Sequence, residues 1–269
     1  MTHVAQEIAS QPDCWRRAAS HEGMAELPQP GERVAVVGCG TSWFMAMAYA
    51  ALREEAGHGE TDAFAASEFP RNRRYDRVMA ITRSGTTTEV LDLKPDTVIL
   101  GDITSPAAQA PRVIALPWAD ELSVVQTRFA TSALTMLRAS LGEDLTKVFA
   151  DAEVALTMDL PDTSVDEVTF VGRGWTVGLA HEAALKCREA AVFWAESYPA
   201  MDFRHGPISI CAPGRAVWAF GDVPSGLPEN VAQTGAALIH HDLDPLASLI
   251  VAQRFAVALA TERGLNPDL

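Results

Sequence analysis

The sequence has few positively charged residues. Its 269 residues include 21 Lys and Arg against 35 Asp and Glu, which gives a formal net charge of −14 at pH 7. Proteins that bind nucleic acid draw most of their affinity from cations placed on phosphates. The deficit of cations therefore predicts no nucleic-acid partner. It also means that local donors must hold any anionic ligand against an unfavourable overall charge.

Cysteine is scarce as well, and long apolar runs are absent. The four cysteines, Cys14, Cys39, Cys187 and Cys211, form no CxxC pair and have no zinc-site spacing. We therefore predict no metal and no cofactor. Free cysteines in apparent core segments are typical of a reducing compartment, which predicts a cytoplasmic protein. The polar N-terminus predicts no signal peptide, and no apolar run approaches the ~20 residues that span a membrane. A soluble protein with no membrane partner is expected.

Apolar segments of strand length alternate with helical segments along most of the chain. The candidate strands are RVAVV (33–37), RVMAIT (77–82), DTVIL (96–100), RVIAL (112–116), VTFVG (168–172), AVWAF (216–220) and AALIH (236–240). Continuous apolar strands of this kind are typical of buried parallel sheets. The motif VVGCGT recurs as FVGRGW, with Gly38 and Gly172 134 residues apart. These features predict an α/β fold with a doubly wound, three-layer parallel sheet and two pseudo-duplicated lobes.

The same features suggest where the chain divides. Residues 1–30 are expected to form an N-terminal helix and a proline-rich connector, 31–150 the first lobe and 151–269 the second lobe. An acidic helix and linker at 143–166 would join the lobes.

Two loops follow candidate strands and precede helices. The first, Gly38-Cys39-Gly40-Thr41-Ser42, points backbone N–H groups at the space above a helix N-terminus, where an anion can bind, although a tight strand–helix turn explains it too. The second, RSGTTTE (83–89), carries four hydroxyl side chains beside Arg83. Helix capping needs only one hydroxyl, so the second loop favours phosphate binding over capping alone.

The stretch 168–207 carries the strongest chemical pattern. Glu182, Lys186 and Glu189 stand at i, i+4 and i+7, so they share one face of an otherwise apolar helix. An exposed ion pair is the plain interpretation. Apolar residues around most of the circumference predict instead that the helix is buried and that its charged stripe faces a cleft. His205 follows Glu189 by sixteen residues and precedes Gly206-Pro207. The segment before it, 197–204, has too little periodicity for a helix and is predicted to be an extended arm that carries His205.

The run EAALKCREA (182–190), with AESYPA (195–200) and RHGP (204–207), resembles the second half of the SIS (sugar isomerase) fold. The resemblance is strongest to the isomerase half of glucosamine-6-phosphate synthases, and extends to free-standing phosphosugar isomerases and amino-sugar-phosphate deaminases. By position it implies that phosphate is bound by Ser42, Thr82, Arg83, Ser84 and Thr87, with Thr41 near the sugar. At position 83 the family usually has a neutral polar residue, and whether arginine reaches the phosphate is left open.

The resemblance also implies further site residues. Residues 119–128 resemble the family's loop over the sugar, which makes Glu121 and Val124 candidate ligand contacts. An acidic residue at a helix N-terminus explains Glu121 equally well. The resemblance assigns Glu189 as the proton shuttle, Lys186 as its electrostatic partner and His205 as the ring-opening acid/base. In relatives that histidine comes from the neighbouring subunit, so a homodimer with a shared site is expected.

Three departures or absences bear on function. The helix between Thr86 and Lys94 is predicted to be one to two turns shorter than in relatives. The sequence stops at GLNPDL (264–269), where relatives continue into a lysine-bearing loop. Residue 2 is threonine, so we expect no glutamine-hydrolysing domain.

Three functional hypotheses remain at this stage. The first is an isomerase or deaminase of a hexose 6-phosphate, with an amino-substituted sugar as the leading candidate. Such an enzyme moves a proton between C1 and C2 through an enediol or enolamine. That chemistry needs one base and a donor for the developing oxyanion. The second is a non-catalytic sugar-phosphate sensor of the same fold, which the absent loop favours. The third, a scaffold protein, explains neither the hydroxyl-rich loop nor the spacing of Glu189 and His205.

Overall fold

The structure is a computed structural model that describes residues 2–268. In that part of the chain the strands are β1 Val34–Gly38, β2 Thr61–Ala65, β3 Arg77–Thr82, β4 Thr97–Leu100, β5 Arg112–Ala115, β6 Glu167–Gly172, β7 Ala195–Pro199, β8 Arg215–Phe220 and β9 Ala237–His240. The α-helices are α1 His3–Ala9, α2 Gln11–Ala19, α3 Thr41–Glu55, α4 Thr88–Leu91, α5 Arg128–Ser140, α6 Thr146–Thr157, α7 Thr176–Ala191, α8 Leu227–Thr234 and α9 Pro245–Glu262.

The strands form two parallel sheets. One sheet has the order β2-β1-β3-β4-β5 and the other has the order β7-β6-β8-β9. The predicted parallel α/β fold with two duplicated lobes is confirmed, but the strands do not share a single continuous sheet. The reason lies in the repeat itself. The strand before each glycine motif pairs with its own two neighbours. Strand β1 lies between β2 and β3, and strand β6 lies between β7 and β8, so each copy of the motif organises a separate sheet.

The chain divides into two compact units. The N-terminal unit comprises Ser10–Leu122 and Gln126–Leu145. The C-terminal unit comprises the residues up to Ala9, Ser123–Val125 and the residues from Thr146. In the N-terminal unit, α3 packs on β1 and on α5, which also contacts α2. In the C-terminal unit, α7 packs on β6 and on α9.

The first helix belongs to the C-terminal unit. Helix α1 packs on α9, and the backbone N–H groups of His3 and Val4 each donate to the Asp268 carboxylate at 2.8 Å. A carboxylate at the first turn of a helix satisfies amides that have no partner within the helix. Segments from both ends of the described chain thus complete one unit.

The first glycine of each repeated motif is required by close packing. A Cβ added to Gly38 would lie 2.6 Å from the Ser42 carbonyl carbon, and one added to Gly172 would lie 2.3 Å from the Thr176 carbonyl oxygen. Only glycine lets the following helix begin this close to the strand. The repeat in the sequence is therefore a repeat of one strand–helix packing arrangement.

Two strands escape the sequence-based prediction. Strand β2 is a half-buried edge strand, and β7 overlaps the segment 197–204, which the sequence predicts to be an extended arm. The extended-arm prediction is wrong beyond Pro199, because the chain turns into a 3-10 helix at Asp202–His205. The turn brings Phe203 into the core, where its side chain is fully buried.

A carboxyl group is buried at the start of β6. Glu167 is fully buried, and its Oε1 accepts a hydrogen bond from Thr169 Oγ1 at 2.7 Å. Its Oε2 has no hydrogen-bond partner within residues 2–268. Burial, which disfavours the charged form, raises the pKa of Glu167 from 4.5 to about 7 against the opposing effect of the Thr169 hydrogen bond.

We predict that Glu167 makes the stability of the protein fall as pH rises. The folded state holds the Glu167 proton more tightly than the unfolded state does. The contribution of this proton to the free energy of unfolding is therefore complete below pH 4.5 and is lost as pH rises through 7. The difference corresponds to about 3 kcal/mol. Glu167→Gln should remove that part of the fall in unfolding free energy, measured by urea denaturation across this range. The exposed Glu229→Gln is the control, and equal slopes for Glu167→Gln and wild type would contradict the prediction.

Candidate active site

The first loop joins β1 to α3 at the carboxyl end of the first sheet. Helix α3 begins at Thr41, and Gly40, at φ 52°, precedes it in a conformation that favours glycine. The Thr41 and Ser42 side chains lie in the first helical turn and are almost fully buried. Both predicted ligand residues therefore lie in the first turn of α3 and not in the loop that precedes it.

The second loop joins β3, which neighbours β1 in the sheet, to α4. Thr82 ends the strand, and its Oγ1 accepts from the Gly85 N–H at 3.2 Å. Ser84 Oγ accepts from the N–H and Oγ1 of Thr86, at 3.4 and 3.1 Å. Thr87 is the residue before α4, but its side chain makes no capping hydrogen bond. The capping alternative therefore does not account for Thr87.

The second loop is held in shape by its glycine. Gly85 has φ 61°, and a Cβ there would lie 1.9 Å from Ser105 Oγ. Its carbonyl accepts from the Ala107 N–H at 3.1 Å. Because parallel strands end at the same edge of a sheet, the two loops stand side by side in the N-terminal unit. Thr41, Ser42, Thr82, Ser84 and Thr87 are thus brought to one edge.

Arg83 has a structural partner. Its Nη1 donates to the Glu121 carbonyl oxygen at 2.6 Å and lies 3.4 Å from Asp120 Oδ1. The guanidinium therefore ties the second loop to the 120–121 segment. The structure thus supplies a reason for arginine at this position that does not depend on a phosphate.

Glu121 and Val124 have different surroundings. The buried Glu121 carboxylate accepts from the Thr127 and Arg128 N–H groups at 2.6 and 2.8 Å, and from Thr127 Oγ1 at 2.8 Å. These bonds cap the start of α5, as the alternative interpretation of Glu121 predicts. Val124 belongs to the C-terminal unit and is 65% exposed. Ligand contact by either residue stays a prediction.

The charged stripe of α7 contains a buried cation between two carboxylates. Glu182 and Lys186 are each 1% exposed, whereas the Glu189 side chain is 35% exposed. Lys186 Nζ lies 3.3 Å from Glu182 Oε1 and 2.7 Å from Glu189 Oε2. An ordinary exposed ion pair is therefore excluded. The structure agrees with the predicted buried helix and shared face.

Lys186 keeps its charge inside the protein. Burial acts to lower its pKa, but the carboxylates of Glu182 and Glu189 outweigh burial and raise the pKa overall. A buried charge is tolerated only when it is paired and hydrogen-bonded. Glu182 thus holds the ammonium from the buried side, and Glu189 presents the other end of the network to solvent.

His205 is exposed at the end of the 3-10 helix Asp202–His205. Gly206 follows at φ 139°, which is accessible to glycine. The His205 side chain makes no hydrogen bond within residues 2–268. The ring is therefore available to an incoming ligand, but no side chain of the described protein orients it.

One polar pair near this network is missing from the sequence-based prediction. His181, on α7, lies with Nδ1 2.8 Å from Ser197 Oγ on β7. Burial lowers the pKa of His181, with Arg188 adding to the effect, and favours the neutral ring. The available signal is the position of His181 beside Glu182. A lone histidine on an apolar helix is too common in protein cores to point to this pair.

Within residues 2–268, no group of three or more His, Cys, Asp or Glu side chains is arranged to hold a metal ion. No helix in that range has the length and apolar character needed to cross a membrane.

Known sequences give distant but extensive matches. No protein-family model matches the chain. Glutamine–fructose-6-phosphate aminotransferase (isomerizing) from Sulfolobus acidocaldarius is 27% identical, over 91% of this chain and 50% of that protein. The same enzyme from Methanothermobacter thermautotrophicus is 26% identical, over 91% of this chain and 51% of that protein. The chain spans about half the length of these curated relatives.

Solved structures share the fold over the whole chain. The C-terminal domain of glucosamine-fructose-6-phosphate aminotransferase from Francisella tularensis has a TM-score of 0.84 at 20% identity, covering 100% of this chain and 98% of that one. Glucosamine-6-phosphate deaminase from Thermotoga maritima has a TM-score of 0.79 at 23% identity, covering 99% and 97%. Tagatose-6-phosphate ketose/aldose isomerase from Escherichia coli has a TM-score of 0.82 at 18% identity, covering 99% and 95%. The predicted resemblance to SIS-type proteins is confirmed.

We predict that Arg83 contributes to folding stability. Arg83→Met should lower the free energy of unfolding by about 1–2 kcal/mol, because the Glu121 carbonyl loses its donor. Arg112→Met is the matched control, since within residues 2–268 the Arg112 side chain makes only an exposed ion pair with Glu26, at 3.6 Å, in the same unit. The control should change stability by less than about 0.5 kcal/mol. Urea denaturation measures both, and equal values for the two variants would contradict the anchoring role of Arg83.

Proposed function

We propose that the protein is a phosphosugar isomerase or deaminase that acts on a hexose 6-phosphate, with an amino-substituted hexose 6-phosphate as the leading candidate substrate. The chemistry is proton transfer between C1 and C2 through an enediol or enolamine. The observation that carries the proposal is the α7 network, in which buried Lys186 links buried Glu182 to solvent-accessible Glu189. The relatives support the substrate class, because their names refer to fructose 6-phosphate, glucosamine 6-phosphate and tagatose 6-phosphate.

Phosphate recognition is assigned to the two loops of the N-terminal unit. Ser42, Thr82, Ser84 and Thr87 offer hydroxyl groups at one sheet edge, and Thr87 is not used as a cap. Phosphate oxygens accept hydrogen bonds from hydroxyl and amide donors at short range. Short-range donors suit a protein whose net charge of −14 repels anions at a distance.

Proton transfer is assigned to Glu189. A carboxylate can remove the proton from one carbon and return it to the next, provided that it is exposed to the substrate and held in place. The 2.7 Å contact with Lys186 restrains Glu189, and Glu182 fixes Lys186 from the other side. Lys186 also supplies positive charge near the Glu189 carboxylate while Glu189 takes up and returns the proton. His205 is assigned to ring opening by the resemblance.

A sugar-phosphate sensor is the second candidate. The observation that favours a sensor is that the His205 side chain has no hydrogen bond within residues 2–268, so no hydrogen bond orients its ring for acid–base work. Binding needs only the hydroxyl-rich loops. The two candidates differ in whether bound sugar exchanges its carbon-bound proton.

The phosphate assignment predicts a loss of affinity in a loop variant. Ser84→Ala combined with Thr87→Val should weaken binding of hexose 6-phosphates by roughly 1–3 kcal/mol, because phosphate oxygens lose donors. Isothermal titration measures the affinity, with Thr104→Val as a control for an exposed hydroxyl of the same unit bonded to Asp102. The unphosphorylated hexose should bind wild type far more weakly. Wild-type affinity in the double variant would show that the phosphate loop is misassigned.

The proton-transfer assignment predicts a separation of binding from chemistry. Glu189→Gln should keep the sugar-phosphate affinity within a few-fold and abolish solvent deuterium incorporation at C2, since the amide cannot accept the proton. Mass spectrometry of the recovered sugar measures incorporation, and Glu229→Gln serves as an exposed-carboxylate control. Undiminished exchange in Glu189→Gln would exclude Glu189 as the base. Tight binding without exchange in wild type would favour the sensor.

A further inference from the structure

The segment that carries His205 depends on a few anchors. Two consecutive 3-10 helices, Asp202–His205 and Pro207–Ile210, meet at Gly206. At the first of them, Phe203 is buried and Arg204 Nη1 donates to the Ser225 carbonyl at 3.3 Å. Because the His205 side chain is exposed and has no hydrogen bond within residues 2–268, its position follows from how the ends of this segment are held.

Arg215 holds the other end. Its Nη1 donates to the carbonyl oxygen of Ile210, the last residue of the second 3-10 helix. The guanidinium carbon also lies 4.7 Å from the centre of the Trp194 ring, within the range of a cation–π contact. One side chain thus fixes the end of the His205 segment from the first residue of β8.

Glu167 lies beneath this arginine. Glu167 and Arg215 are directly paired in register on β6 and β8, so their side chains leave the same face of the sheet. Trp194 immediately precedes β7, on the far side of β6 from β8. An Arg215 side chain that reaches Trp194 therefore crosses the start of β6, where Glu167 is buried with an unsatisfied Oε2.

Other titratable groups around Glu167 come from the elements packed against it. Glu196 on β7 acts to raise its pKa and Arg215 on β8 acts to lower it, and Glu167 itself acts to raise the pKa values of Tyr198 and Cys211. The Glu196 carboxylate already accepts from Trp194 Nε1 at 3.0 Å and from Tyr198 Oη at 2.7 Å. Of the two carboxyl groups, Glu167 is thus the one with an oxygen that lacks a donor.

We propose that Arg215 and Glu167 are positioning residues for His205: Arg215 anchors its segment while Glu167 is protonated, and ionised Glu167 draws the guanidinium away from the Ile210 carbonyl. The physical reason is that a guanidinium binds a carboxylate more strongly than a neutral carbonyl. A protonated Glu167 offers no such competition. The link to catalysis rests on the proposed function of His205, but the anchoring of the segment does not.

Hydrogen exchange of the segment tests the anchoring without any substrate. The Ser209 and Cys211 N–H groups donate to the Gly206 and Ile208 carbonyls, so their protection reports whether the second 3-10 helix is formed. In wild type, protection of these amides, corrected for the intrinsic effect of pH, should fall about five- to tenfold between pH 6 and pH 8. Exchange is followed by mass spectrometry of a peptide that covers 202–212.

The variants separate the two residues. Glu167→Gln cannot ionise and should show the same high protection at both pH values. Arg215→Gln should show low protection at both. Glu196→Gln is the matched control, because it removes a carboxylate of the same cluster whose oxygens already have donors. It should keep a pH-dependent fall in protection, with the midpoint moved to lower pH because Glu196 acts to raise the pKa of Glu167.

Two results would overturn the proposal. One is wild-type protection at pH 6 in Arg215→Gln, and the other is an unchanged pH dependence in Glu167→Gln. Should Arg215→Gln fail to fold, as judged by circular dichroism, Arg215→Lys keeps the charge without the forked geometry and should lose part of the protection. The Glu167→Gln result decides the pH dependence in either case.

A second measurement connects the segment to the proposed chemistry. The measured quantity is the kcat of wild type for C2 deuterium exchange, divided by the kcat of Glu167→Gln at the same pH. This ratio should fall about five- to tenfold between pH 6 and pH 8, as the amide protection does, and KM should not change. A fall in kcat without the loss of amide protection would contradict positioning. Absence of exchange at both pH values would instead contradict the proposed function and leave the hydrogen-exchange result to stand alone.

Discussion

The placement of Lys186 between two carboxylates is the constraint on which the rest of the C-terminal unit depends. A fully buried ammonium is costly unless opposite charge and hydrogen bonds surround it. Glu182 and Glu189 meet that need from one helix, at contacts of 3.3 and 2.7 Å. The helix can be buried nearly all round because the charges of this one stripe are paired with each other. The same arrangement leaves a single carboxylate, Glu189, partly exposed and restrained in position.

Sequence reasoning reaches the main features of the fold and the placement of most candidate residues. The strands with continuous apolar runs and the repeated glycine motif carry strong local signals, and the structure agrees with them. The edge strands β2 and β7 carry no such signal, because partly exposed strands have mixed composition and pair through their backbones. The separation into two sheets is also invisible locally, since it depends on which strands become neighbours.

At the site, helical spacing correctly places Glu182, Lys186 and Glu189 on one face, because a period of 3.6 residues leaves little freedom. The surroundings of Arg83 could not be predicted. Its hydrogen-bond acceptor is a backbone carbonyl 38 residues away in sequence, and carbonyls carry no side-chain signature. Glu121 shows the same limitation, since a carboxylate that caps a helix and one that meets a ligand are alike in sequence. The partners of Glu167 likewise emerge only from strand register.

The assignment of α1 to the C-terminal unit has a consequence for biosynthesis. Helix α1 is translated well before α9, with which it packs, and the Asp268 carboxylate that accepts from its first turn is translated later still. On the ribosome, the whole N-terminal unit can therefore emerge while α1 still lacks its docking surface. A seven-residue helix has little stability of its own in water. Its apolar residues thus lack their docking surface until α9 has been synthesised, so α1 can dock only after α9 has left the ribosome.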